Sequence, residues 1–373
     1  MESRAMRVAL CAAGEIWGGV EQFIITVAEE LNRRAVPFEV FLLFDSLLAR
    51  RLRDAGLPVE VIPNAGKYDP SVILRLAGAF RRRRITVVHV NGYKAALASG
   101  VAAKLARLRL VKTEHGRLEP FQGAAKVKMN MNLWLDEAFS TRFLDAIAFV
   151  SRDIQTVLSR RYARVPQTVI YNAVHRSPAP TGDGAPPPMP PAGPAFRLGI
   201  IGRLKPIKGH RILLQALATL RHRSDLHLYV FGEGETEAEC RAYCREAAIE
   251  GRVHFMGFRA DIQAYMRRLD SIVMPSFHEG IPYTALEAMD LGVPLIASAV
   301  GGLREILTHE VDALLVPPGD VAALAAAIER MATDSALRDR LRSNARRTVD
   351  ARFRAEAMVD QYLALYRAKP GRP

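Results

Sequence analysis

The stretch "PAPTGDGAPPPMPPAGP", residues 178–194, decides how the rest of the chain is read. It holds eight prolines and three glycines in 17 residues. A segment so poor in backbone donors and fixed helical geometry can neither continue a helix nor fill a sheet, so it reads as a linker. On both sides of it, short apolar runs alternate with amphipathic stretches. Upstream, strand-sized runs fall at 7–11, 38–44, 59–62, 86–90, 110–113, 146–150 and 168–171. Downstream they fall at 196–201, 226–231, 253–256, 271–274, 294–297 and 313–316. Between the first two, Val20, Phe23, Ile24, Val27 and Leu31 recur at helical spacing. Strands separated by helices of this length are βαβ units, which build parallel, doubly wound sheets. The expectation is an α/β chain of two Rossmann-like lobes, 1–177 and 195–354, joined by the linker. A tail at 355–373 carries a last helix with Met358, Tyr362, Leu363 and Tyr366 on one face, able to pack back on the first lobe.

The totals fit this division. A chain of 373 residues exceeds one ordinary core, and 49% hydrophobic residues with a mean hydropathy of +0.02 describe a globular protein. No apolar run approaches the ~18 residues that span a bilayer. The apolar core of the N-terminal segment, residues 8–13, is too short for a secretory signal and reads as a first strand. Three cysteines, Cys11, Cys240 and Cys244, make no disulfide framework, and the last two sit one helical turn apart in a structural setting. A cytoplasmic location is the resulting expectation.

Charge is uneven. Residues 1–195 hold 27 Lys+Arg against 17 Asp+Glu, whereas residues 196–373 hold 25 against 22. From Pro70 to Thr113 there are ten basic residues and no acidic one, including Arg81-Arg82-Arg83-Arg84 and the series Lys104, Arg107, Arg109, Lys112. A solvated face and an anionic membrane or acceptor face both fit. Nucleic acid is disfavoured, because only Phe80 and Tyr93 interleave the cations.

Open parallel sheets bind ligands beyond the carboxyl ends of their strands, so two facing lobes would place the chemistry in a cleft between them. "IGRLKPIKGH", residues 201–210, follows the first strand of the second lobe. Its glycines permit close approach, and Arg203, Lys208 and a helix start can share the charge of a diphosphate. It is not a Walker loop. "GEIWGGVE", residues 14–21, is the matching turn of the first lobe; it lacks G-x-G-x-x-G, and Asp45 is only a partial acidic match, which disfavours a nicotinamide cofactor. "VFGEGE", "HFMGFRA" and "MPSFHEG" load three further strand ends with glycine and polar residues. The last one opens a pair of glutamates, Glu279 and Glu287, eight positions apart. Were that segment helical from Pro282, the pair would span up to ~12 Å.

Taken together, GRLxxxKG at residues 202–209, FGEG at 231–234, the Gly257 turn, PSxxEG at 275–280 and E-x7-E at Glu279/Glu287 resemble the retaining glycosyltransferases of family four, of GT-B fold. GGVE at 18–21, TEHG at 113–116, FVS at 149–151 and VIYNAV at 169–174 extend the resemblance nearly end to end. It implies that Arg203 and Lys208 clamp a donor diphosphate, that Glu287 takes the ribose hydroxyls, and that Glu279 faces the transferred sugar. It places the backbone of Gly280, Ile281, Pro282 and Tyr283, with Gly202 and Gly232, near the donor, and the base against Phe258 and Arg259. Gly18, Gly19 and Asn172 would reach it from the first lobe, and His115 would stand at the reaction centre with Glu279, Arg203 and Lys208. The implied reaction retains the anomeric configuration, from a UDP-sugar ahead of a GDP-sugar, to a lipid-linked or cell-surface glycan acceptor, with no cofactor or metal and with peripheral attachment to the inner membrane face. The chain contains no D-x-D, so fixed cations would do the electrostatic work of a metal. Tyr171-Asn172-Ala173 replaces the family's usual Pro-Asn-Gly, and Pro282 removes one amide donor. Two rivals share the donor clamp: a sugar-nucleotide epimerase of the same fold, and a non-catalytic paralogue.

Overall fold

The central apolar runs become strands because they are covered on both faces, whereas the edge strands Val59–Val61, Gln167–Val169 and Val253–Gly257 are half-buried. In the computed structural model the described residues are 5–15, 17–63, 69–116, 137–138, 140–177, 189–190 and 195–368, without the side chains of Tyr93 and Lys94. The chain divides into two units, Met1–His175 with Ala355–Pro373, and Arg176–Arg354.

The first unit holds β1 (Val8–Ala12), β2 (Phe38–Leu42), β3 (Val59–Val61), β4 (Val87–Asn91), β5 (Arg109–Glu114), β6 (Ala146–Phe149) and β7 (Gln167–Val169). Their order is β3-β2-β1-β4-β5-β6-β7, and every pairing is parallel. All five residues of β1 are fully buried, since it lies between β2, with Val8 opposite Phe38, and β4, with Val8 opposite Val87. The order reverses there, so the β1/β4 boundary is the switch point at which side chains of this unit can converge. Around the sheet lie α1 (Gly19–Arg33), α2 (Leu47–Asp54), α3 (Ser71–Arg82), α4 (Tyr93–Leu105) and α5 (Arg152–Leu158). Phe23, Ile24, Val27 and Leu31 of α1 are buried, as their spacing requires.

The second unit holds β8 (Phe196–Ile201), β9 (Leu226–Phe231), β10 (Val253–Gly257), β11 (Ser271–Met274), β12 (Leu295–Ser298) and β13 (Leu314–Val316), in the order β10-β9-β8-β11-β12-β13 and again all parallel. The helices are α6 (His210–Thr219), α7 (Glu237–Glu246), α8 (Ile262–Met266), α9 (Tyr283–Leu291), α10 (Leu303–Ile306), α11 (Val321–Thr333) and α12 (Ser335–Arg352). Cys240 and Cys244 are buried in α7, and burial raises both thiols above the ordinary range, so they pack rather than react.

Helix α13 (Ala355–Arg367) belongs to the first unit. Its buried face, Met358, Val359, Tyr362, Leu363 and Tyr366, is the face its spacing marks out. Arg109 donates to the Leu365 carbonyl at 3.1 Å, and Arg34 to that of Glu356 at 2.8 Å. No helix among the described residues is long and apolar enough to cross a membrane.

Three expectations change. Most of the proline-rich segment lies outside the described residues, but Met189 is buried and the Pro190 carbonyl accepts a hydrogen bond from Tyr229. That part of the segment is therefore docked on the second unit instead of serving as free spacer. The basic series is not one surface: Lys112 is 1% exposed, and Lys104 pairs with Asp145 at 2.9 Å. The reason is that β5 is covered on both faces, and Tyr162 packs on the face that carries Lys112. Third, α9 starts at Tyr283, one residue after the expected Pro282, which caps it, so Glu279 sits in the preceding turn.

Candidate functional site

In the second unit the strand ends are stitched to one another. Gly202 donates to Phe231 O at 2.9 Å, Leu204 to Glu233 O at 3.0 Å, Gly232 to Gly257 O at 2.9 Å, and Phe277 to Ile207 O at 2.8 Å. This closeness dictates residue type at two positions. Gly232 has φ +127°, and a Cβ there would stand 2.1 Å from Gly202 O; Gly209 has φ +70°, and a Cβ there would stand 2.0 Å from Pro275 O. No side chain fits either place. The loop of residues 206–208 is thereby pressed against the loop that carries Glu279.

The outcome is a small charged centre. Lys208 Nζ donates to Glu279 Oε1 at 2.6 Å, and Ser276 Oγ donates to the same oxygen at 2.7 Å. Glu279 is 7% exposed, so its carboxylate is held by two donors on Oε1, leaving Oε2 as the acceptor that can turn to a ligand. Arg203 is exposed and forms no ion pair with a described residue. His210, the first residue of α6, is buried; burial and the neighbouring Lys208 push its pKa down to about 4. Glu287 lies on the second turn of α9, half-buried, while Gly280, Ile281, Pro282 and Tyr283 lead into that helix. Phe258 is 41% exposed just after the Gly257 turn, with its amide 3.4 Å from Glu233 Oε1; Arg259 lies over the Tyr265 ring.

In the first unit, Gly18 and Gly19 open α1, and a Cβ on Gly19 would meet nothing within 4 Å. His115 follows β5. Its Nε2 stands 2.9 Å from Asn91 Oδ1, at the end of the neighbouring β4, and Phe23 meets its ring edge-on at 4.8 Å. Burial pushes the pKa of His115 down to about 4, with Glu114 partly opposing the shift. Behind it, His89 bridges Thr113 Oγ1 and Tyr366 OH, each at 2.7 Å, and its own pKa falls to about 3 through burial and then the neighbouring His115. Thr113 Oγ1 is also 3.1 Å from Tyr362 OH, so α13 anchors the strand that ends in His115. On the other face of β5, Lys112 lies 2.7 Å from Glu114, and Tyr162 donates to that carboxylate at 2.8 Å. Asn172 is buried beyond β7.

The structure therefore joins Lys208 to Glu279 and orders Gly202 and Gly232 beside them, while His115, Gly18 and Gly19 stand at strand ends of the other unit. Two participants escape sequence reading: Asn91, which reads as the polar end of a strand, and Ser276, which reads as a turn residue. Asn91 gains its role from His115, just past the end of the neighbouring strand, and Ser276 from Glu279, three residues along the same loop.

One cluster has the look of a metal site. Ligand atoms of Glu30, His175 and Glu356 lie within 4.8 Å of one another. The Arg33 guanidinium bonds with all three, including Glu356 at 3.1 Å and His175 Nδ1 at 2.9 Å. Arg34 also donates to Glu30, at 2.6 Å, so two fixed cations already balance the two carboxylates and tie α1 to α13.

Comparison with known proteins gives the family and the fold. The family described as Glycosyltransferase Family 4 matches residues 17–177, and that described as Glycosyl transferases group 1 matches residues 195–334. The chain is 32% identical over 266 residues to 2-deoxystreptamine glucosyltransferase of Streptomyces kanamyceticus, covering 67% of this chain and 68% of that one. It is 33% identical over 198 residues to the lipopolysaccharide core biosynthesis glycosyltransferase LpsD of Rhizobium meliloti, covering 53% of this chain and 56% of that one. The chain thus spans little more than half the length of LpsD. The structure of Anabaena HepE in complex with UDP and glucose has the same fold, with a TM-score of 0.83 and 24% identity over 98% of this chain and 100% of that one.

Proposed function

The chain belongs to the glycosyltransferases of family 4 and group 1, and we propose that it is a retaining, metal-independent hexosyltransferase. It moves a sugar from a nucleotide-diphosphate-sugar, a UDP-sugar ahead of a GDP-sugar, to a lipid-linked or cell-surface glycan intermediate. The observation that carries this reading is the Lys208–Glu279–Ser276 centre, in which Ser276 and Glu279 come from the segment that leads into α9. Lys208 and Arg203 neutralise the departing diphosphate, a task that needs preorganised charge and no proton transfer. Glu279 Oε2 accepts from hydroxyls of the transferred sugar, and Glu287 accepts from the ribose. His115 attends the sugar from the first lobe. The absence of any D-x-D in the chain supports a clamp of fixed cations in place of a metal.

The acceptor side belongs to the first unit. Arg81, Arg84 and Arg107 are exposed there, as are Leu74, Leu97 and Leu105 on α3 and α4. Cations beside exposed leucines suit an anionic bilayer surface that presents a lipid-linked acceptor.

A panel of UDP-, GDP- and ADP-sugars tests the reading by thermal shift, followed by transfer assays with and without a chelator. Stabilisation by a UDP-sugar, chelator-insensitive transfer and an unchanged anomeric configuration by NMR are expected. Binding without transfer to any glycan, but with inversion of a sugar stereocentre, would favour the epimerase; no binding at all would sink both. Charge reversal across Arg81–Arg84 is expected to weaken attachment to anionic vesicles.

A further inference from the structure

Asn91 is 1% exposed at the end of β4, beside the switch point of the first sheet. Its side-chain nitrogen faces two main-chain carbonyls, Cys11 O at 3.5 Å and His89 O at 3.4 Å. These contacts are long, yet they settle which way the amide points: the reverse orientation would set Oδ1 against two carbonyl oxygens. Oδ1 is therefore the atom turned to His115, and an amide oxygen can only accept. The proton of the 2.9 Å contact belongs to His115 Nε2. A neutral imidazole carries one N–H, so Nδ1 is left with its lone pair. No described residue bonds to Nδ1.

We propose that Asn91 is a positioning residue for sugar transfer, fixing His115 in the tautomer protonated on Nε2 so that the ring meets a hydroxyl of the bound sugar as an acceptor, through Nδ1. The inference rests on the glycosyltransferase reading and on His115 standing at the sugar. The direction of the bond matters chemically. An acceptor on the ring holds the hydroxyl by its hydrogen and adds no positive charge next to the sugar. Holding the ring neutral agrees with its depressed pKa, which burial produces. The chain of contacts runs from main-chain carbonyls of β1 and β4, which the sheet fixes, through one amide to the ring. The tautomer is thus set by the backbone of the fold.

The test uses the full chain. Long-range proton–nitrogen NMR of ring-labelled protein, with His115→Gln for assignment, reads the tautomer in the free wild type. The expected result is a pyrrole-type Nε2 and a pyridine-type Nδ1 for His115; the opposite pattern overturns the proposal. Transfer kinetics then compare wild type, Asn91→Asp and Asn91→Leu with donors in which single sugar hydroxyls are replaced by fluorine, a group that cannot donate. Wild type is expected to lose roughly tenfold in kcat/KM with one of these donors, the worth of one hydrogen bond. Asn91→Leu should lower kcat about 10- to 100-fold with KM little changed and erase that discrimination, as loss of an orienting partner does. Asn91→Asp, which sets an oxygen against Cys11 O and His89 O and favours the imidazolium, should lose the discrimination as the leucine variant does. A leucine variant that folds and still discriminates overturns the proposal. Should that variant fail to fold, the tautomer measurement and the aspartate variant decide. Correct tautomer in a wild type that binds no sugar nucleotide counts against the glycosyltransferase reading, and leaves Asn91 as the group that orients His115.

Discussion

At the carboxyl end of the second sheet, Lys208 and Glu279 meet as charges; at that of the first, Asn91 and His115 meet as neutral groups. The same architecture, a parallel sheet with glycines at its strand ends, supports both. On the proposed function, the difference lies in what each end would hold. A diphosphate carries charge that a cation and a helix start can neutralise, and the ion pair keeps Lys208 ordered. A sugar carries none, and burial beneath Phe23 strips His115 of its proton. The charges of the first unit are spent behind the site, where Lys112, Glu114 and Tyr162 brace β5.

Four measurements can break or sharpen this contrast. Lys208→Met removes the cation and leaves Glu279 with Ser276 alone; kcat/KM is expected to fall about 10²- to 10³-fold, as for loss of one electrostatic donor. A fall under tenfold would assign the diphosphate to Arg203 and end the parallel between the two sheet ends. Lys112→Met strips a nearly fully buried partner from Glu114 and should cost roughly 3 kcal/mol of stability in urea unfolding. A cost near zero would mean the brace is decorative. Third comes acid. His89, His115 and His210 are held down to about 3, 4 and 4, so folding favours their neutral forms. Their contribution is complete above the unfolded value of about pH 6.5 and is lost as pH falls toward the folded values, at up to about 1.4 kcal/mol per pH unit for each. Urea midpoints should therefore decline between pH 6.5 and 4, and less steeply in His89→Gln. The smallest effect is expected from Ser276→Ala. Glu279 keeps Lys208 and loses one hydrogen bond, about 1 kcal/mol, or roughly fivefold in kcat/KM.

The fold was legible because its signals are local. All thirteen strands among the described residues form within a residue or two of the apolar runs that announce them, and α13 falls within the expected tail. Continuous burial in a parallel sheet leaves no polar alternation to confuse. The charged site was legible for a related reason: Lys208 and Glu279 sit in glycine-marked turns. Lys112 was misread, since nothing local shows which face of β5 is covered by Tyr162. The helix expected from Pro282 starts one residue later, because Pro282 forms its cap.

By itself, the sequence determined two doubly wound sheets, the strand ends that carry glycine, and the cations and carboxylates available there. Period, turn chemistry and residue type are properties of neighbours in the chain. Only the tertiary structure decided that Ser276 and Lys208, the latter 71 positions from Glu279, share one oxygen of that carboxylate. It alone set Asn91, 24 positions from His115, to determine which ring nitrogen bears the proton. A hydrogen bond depends on distance and direction between atoms that sheet order brings together, and no spacing along the chain encodes either.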